Sequence, residues 1–238
     1  MKKLVLSVFG FMSLGIFAQN YQFQNVIDIK STPVISQDKT GTCWSYATTS
    51  FLESEIIRIT GKQIDLSEMY NVRNTYMEKA ENYVMRQGAA QFGQGALAHD
   101  VLKSAEKYGL VPFEVFKGKD DSQEKHDHTE MEAVLKGMLD AYTKTKKLSP
   151  NWKKAINAVL DIYLGENQTE FVFEGKRYTP KSFMAYTKIN PKDYVSLTSF
   201  THHPFNESFI LNIPDNFSNG SFYNVPIDEL VKKVDNAL

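Results

Sequence analysis

A single cysteine, Cys43, stands among 238 residues, so no disulfide within the chain can staple its fold and no multi-cysteine zinc or iron–sulfur site can organise it. The fold must rest on its hydrophobic core alone. Material for that core is present: 42% of residues are hydrophobic and 23% charged, with a formal net charge of −1, an ordinary globular composition that excludes disorder, collagen and coiled coil. Near-balanced charge also argues against nucleic acid or an anionic membrane as a partner.

Lys2 and Lys3 precede an apolar run over residues 4–17, and Ala18 then stands before the polar Gln19 and Asn20. This pattern is that of a secretory signal peptide, residues 1–18, and the run is too short for a stable membrane anchor, which needs ~20 residues. The expectation is an exported chain, periplasmic or secreted, whose residues 19–238 form one domain. Asn167, Asn206, Asn216 and Asn219 each begin an N-x-Ser/Thr sequon.

Residues 19–36 read as an extended lead that enters a polar turn, Gln37-Asp38-Lys39-Thr40-Gly41. From residue 44 to 60, Tyr46, Phe51, Leu52, Ile56 and Ile57 recur at helical spacing, and Gly61 supplies a left-handed stop. Asp65, three residues before Glu68, reads as a capping box that opens a second helix to about residue 85. After Gly88, Gly93 and Gly95, a third helix is expected over 96–108, closed by Gly109. Residues 118–130 are almost wholly polar and are expected to form an exposed loop, followed by helices over 130–147 and 152–164. Strand character comes late, over 170–173, 194–200 and 208–213, and Pro226 opens a final amphipathic helix. That helix is still in register at Leu238 with no glycine stop, so the sequence reads as cut at its C-terminus.

Cys43 falls where a Gly-containing turn meets the start of a long helix, and free backbone N–H groups there favour an anion such as a thiolate. Helix N-termini and a neighbouring imidazolium can bring a cysteine pKa from ~8.5 to ~3.5–7.5, which makes a nucleophile at neutral pH. Around it, residues 37–48 read QDKTGTCWSYAT, with Gln37 six residues before the thiol, Gly41 between them and Trp44 immediately after.

This segment resembles the active-site segment of papain-like cysteine peptidases. The resemblance implies an α+β papain-like fold, a helical half around the Cys43 helix joined to a β-rich half that is incomplete here. It implies Cys43 as nucleophile, with the Gln37 side-chain amide and the Cys43 backbone N–H as oxyanion donors. LSEMYNV at 66–72 is similar to the helix start that follows the nucleophile helix in this family, and GQGALAHDVLKSAEKYGLVP at 93–112 to its glycine-rich substrate wall, which assigns the substrate-backbone contact to Gly95. The helical stretch at 130–165 and NPKDYVSLTSFTHHPF at 190–205 resemble the bleomycin hydrolase and bacterial aminopeptidase C branch. Peptide substrates, aminopeptidase action, no cofactor, no metal and homo-oligomeric assembly follow from that resemblance. Where the family has a cysteine three residues before the nucleophile, this chain has Thr40.

A papain-like mechanism also needs a His to carry the proton and an Asn or Asp to orient it. No His occurs over residues 173–193, where simple members of the family place it. His99 reads as a packed helix residue. His126 and His128 have metal-like spacing but no evident further ligand. His202 and His203 follow a strand and are the weak candidates for the base. In the resembled branch the catalytic pair lies further downstream, so this chain is expected to turn over little or no peptide alone. A non-catalytic, papain-like peptide-binding protein is the alternative from another class.

Overall fold

The computed structural model describes residues 21–119 and 122–237, so the segment read as a signal peptide lies outside the described residues. Among them no helix is long and apolar enough to cross a membrane. The five long helices come first: α1 (Cys43–Thr60), α2 (Glu68–Met85), α3 (Ala98–Tyr108), α4 (Thr129–Thr143) and α5 (Trp152–Leu164). Short elements follow: β1 (Phe171–Phe173), β2 (Lys176–Tyr178), α6 (Pro180–Thr187), β3 (Leu197–Thr198), β4 (Glu207–Ile210), β5 (Ser221–Asn224) and α7 (Ile227–Ala237).

Helix α2 is the hub, packing against α1, α3, α4 and α5. Its Val72, Tyr76 and Ala80 are buried, as are Leu52 and Ile56 of α1, Val101 and Ala105 of α3, Leu135 and Leu139 of α4, and Ile156 and Leu160 of α5. These positions recur at four-residue steps, so each helix turns one apolar stripe inward. Buried Arg73 of α2 pairs with Asp161 and donates to the Gly165 carbonyl at 3.1 Å, which locks the end of α5. As the sequence requires, Gly61 ends α1 at φ 70°, its N–H donating to the Ile57 carbonyl at 2.8 Å.

Several expectations are corrected. The cap of α2 is Ser67, not Asp65: the Ser67 hydroxyl accepts from the Tyr70 N–H at 3.0 Å and donates to the Phe116 carbonyl at 2.5 Å. The loop at 118–130 is not exposed throughout, because Gly118, His126 and His128 are buried. A two-way backbone bridge explains it: the Lys39 N–H donates to the His126 carbonyl at 3.1 Å, and the His128 N–H to the Lys39 carbonyl at 3.5 Å. Helix α4 stops at Thr143 rather than 147, and α6 and the strands β2 and β5 add to the elements read from sequence.

β1 and β2 form an antiparallel hairpin, and β3, β5 and β4 form a separate sheet in that order, with β5 parallel to β3 and antiparallel to β4. The second sheet is organised by one side chain. Asn224, fully buried, donates to the carbonyls of Phe200, His203 and Pro204 and accepts from the Phe200 N–H, all within 3.1 Å.

Candidate active site

Cys43 is the first residue of α1, and its thiol is free and exposed. Thr42 precedes the helix but does not cap it; its hydroxyl instead pairs with the Thr40 hydroxyl at 2.5 Å. The N–H groups of Cys43 and Trp44 therefore have no partner among the described residues, and uncapped N–H groups favour negative charge beside them. Gln37 folds back over the same turn. Its side-chain amide donates to the Thr40 carbonyl at 2.5 Å, while the Thr40 hydroxyl returns a bond to the Gln37 carbonyl at 2.8 Å. One hydrogen of that amide is used inside the turn, and the second has no partner among the described residues.

The glycine-rich segment 93–95 lies against this turn. The Gly41 N–H donates to Gln94 Oε1 at 2.6 Å, and Trp44 Nε1 donates to the Gln94 carbonyl at 2.9 Å. From the other side, the buried Lys79 ammonium donates to the carbonyls of Gly93 and Gly95. Burial pulls the Lys79 pKa down to about 8, against the upward pull of Asp215, Asp100 and Glu132. A side chain at Gly95 would run into the Asp215 carboxylate, whose nearest oxygen would lie 2.6 Å from its Cβ. Of the residues predicted from sequence, Gln37 and Cys43 share one turn, and Gly95 directly follows Gln94, which is bonded to that turn. Sequence reasoning missed Gln94 and Lys79, whose partners lie far away in the chain.

No histidine joins them. No hydrogen bond, ion pair or ring contact links Cys43 to any of the five imidazoles among the described residues. His99 is buried on α3, its Nε2 bonded to Asn216 Oδ1 at 3.0 Å and its ring against Phe222. Asn216 holds the Leu211 and Gly220 carbonyls at 2.9 Å, so this sequon is closed within the fold. His203 stacks on Phe209 at 3.9 Å, and its carbonyl is taken by Asn224. His126 and His128 face each other at 6.2 Å beneath the Asp38–Lys39 turn, with Nδ1 of His126 and both ring nitrogens of His128 unpartnered. Burial first, and His126 second, push the His128 pKa down to about 4. Among the described residues, no three His, Cys, Asp or Glu side chains converge as metal ligands.

A cavity of about 640 Å³ is lined by Tyr46, Ala47 and Ser50, three, four and seven residues along α1 from Cys43, by Glu53, Asp65 and Glu68, and by residues 32–35. Burial raises the Glu68 pKa to about 8 and that of Glu53 to about 6. Glu53 remains bonded to Thr32 and to the Leu66 N–H.

The chain thus has a mixed helix and strand fold, a helical layer headed by an exposed cysteine and followed by short strands, and it matches a papain-like peptidase fold. No family model and no curated protein matches the sequence. Among solved structures, the chain is similar to PepW from Lactobacillus rhamnosis HN001, with a TM-score of 0.69 and 20% sequence identity. The match covers 87% of this chain and 56% of that one, so the chain spans little more than half the length of PepW.

Proposed function

We propose that the chain carries the nucleophile half of a thiol peptidase, with Cys43 as the attacking group and Gln37 and the Cys43 N–H as oxyanion donors. The observation that carries this reading is the exposed thiol at an uncapped helix N-terminus, inside a turn tied to a glycine-rich segment. The likeness in fold to PepW supports it. In the reaction, the Cys43 thiolate adds to a peptide carbonyl, the amine leaves with a proton from an acid, and water then hydrolyses the thioester. Trimming from peptide N-termini after export is the finer form of the proposal.

No imidazole lies beside Cys43 among the described residues, so the 238-residue polypeptide by itself is expected to be acylated or alkylated without efficient turnover. The test is labelling of the purified chain with a peptidyl epoxide near neutral pH, followed by mass spectrometry. Modification confined to Cys43, and faster than with an epoxide lacking the peptide, is the expected result. Equal rates with both reagents remove the peptidase reading. The missing imidazole favours a second reading, a peptide-binding protein of the same fold, which would show peptide binding that survives Cys43→Ser.

A further inference from the structure

We propose that Gln94 is a positioning residue that sets the distance between the nucleophile turn and the glycine-rich wall, a role resting on the thiol-peptidase reading. Three bonds meet on this residue. Gln94 Oε1 accepts from the Gly41 N–H at 2.6 Å, Nε2 donates to Glu132 Oε2 at 2.7 Å, and the main-chain carbonyl accepts from Trp44 Nε1 at 2.9 Å. The amide orientation follows from its partners, because a backbone N–H can only donate and a carboxylate only accept. One side chain therefore joins the turn two residues before Cys43, the wall and helix α4.

The fit is close. A Cβ on Gly41 would lie 3.0 Å from Gln94 Cβ, and a Cβ on Gly93 would lie 3.3 Å from Glu132 Oε1. Glycine at these positions lets the turn and the wall approach until the amide spans them. A chain with one cysteine has no covalent tie to offer here, so the spacing rests on these hydrogen bonds. Only a group with an acceptor on one side and a donor on the other satisfies both partners. Aspartate or glutamate would set a second carboxylate against Glu132, and an apolar side chain would leave the Gly41 N–H and the carboxylate unpaired.

The experiment compares the full chain with Gln94→Ala and Gln94→Glu. The readout is the rate of Cys43 alkylation by a peptidyl epoxide divided by the rate with iodoacetamide, which cancels changes in thiolate content. Gln94→Ala is expected to lower the ratio about tenfold, the equivalent of ~1.4 kcal/mol, and to speed hydrogen exchange at the Gly41 amide. Gln94→Glu separates positioning from general loosening. Besides Glu132 of α4, the charges at this segment are Lys79 of α2, Asp100 of α3 and Asp215. A proton shared by the two carboxylates rebuilds the bridge in acid, so the Gln94→Glu ratio should return towards wild type as pH falls from about 8 to about 5.

A ratio within about twofold of wild type in Gln94→Ala overturns the proposal, as does a Gln94→Glu ratio that is low and flat with pH. If wild type reacts equally with peptidyl and plain epoxides, the peptidase reading fails, and Gly41 exchange then decides the bridge alone. Faster exchange in Gln94→Ala supports the bridge, and unchanged exchange overturns it.

Discussion

At the scale of single residues, the largest consequences follow from side chains that serve several backbone groups at once. Asn224 answers four of them without solvent contact. Asn224→Ala would strand three carbonyls and an N–H, at a cost of roughly 2–4 kcal/mol. Urea denaturation should show the loss as a lower midpoint, and a change under 1 kcal/mol would mean that water replaces the amide. Asn224 was invisible in the sequence because nothing local distinguishes it from any polar residue at the end of a strand. Cys43 and Gln37 were legible for the opposite reason, since the chemistry they imply needs a fixed spacing along a single turn. Gln94 and Lys79 act on residues of other segments, and no short motif records such partners.

At the scale of elements, the long helices were legible, as were the stretches that hold β1, β3 and β4, whereas β2, β5 and α6 were not. A helix such as α5 repeats its apolar stripe over 13 residues, whereas β2 has three residues, Lys-Arg-Tyr, with no apolar period to detect. The missed α6 did carry a local signal: Thr179 caps it, Pro180 opens it and Ser182 closes a capping box. The start of α2 read as an Asp65 cap, but Ser67 caps it, held in place by its bond to the Phe116 carbonyl. Ser67→Ala should therefore cost about 1–2 kcal/mol, whereas Asp65→Ala should be close to neutral. Thermal melts of the two variants distinguish them, and equal losses would return the cap to Asp65.

At the scale of the whole molecule, buried titrating groups pull stability in opposite directions with pH. Burial depresses the His128 pKa to about 4 from its ordinary 6.5, so the unfolded chain binds the extra proton and stability falls as pH drops through that interval. Glu68 has its pKa raised to about 8 from 4.5, so the folded chain holds the extra proton and stability falls as pH rises through that interval. Where the windows overlap, the slopes oppose each other. With Glu53 also raised by burial to about 6, two falling slopes face one rising slope from about pH 4.5 to 6, so stability should decline as pH rises from about 4.5 to 8 by up to ~1.4 kcal/mol per pH unit, levelling only near pH 6–6.5. Urea midpoints at several pH values check this, with Glu68→Gln expected to remove the alkaline decline. A wild-type midpoint that climbs steadily to pH 8 would show that Glu68 ionises freely in the fold.

The grip of Lys79 on the glycine-rich segment has one more consequence. Its ammonium takes the carbonyls of Gly93 and Gly95, and the Trp44 indole takes the one between them. Three successive oxygens are thus turned away and engaged, while the N–H groups of the same residues have no partner among the described residues. Each of the three carbonyls already holds one hydrogen bond, so the wall meets a ligand chiefly with its N–H groups, and oxygen atoms are what it is best placed to receive.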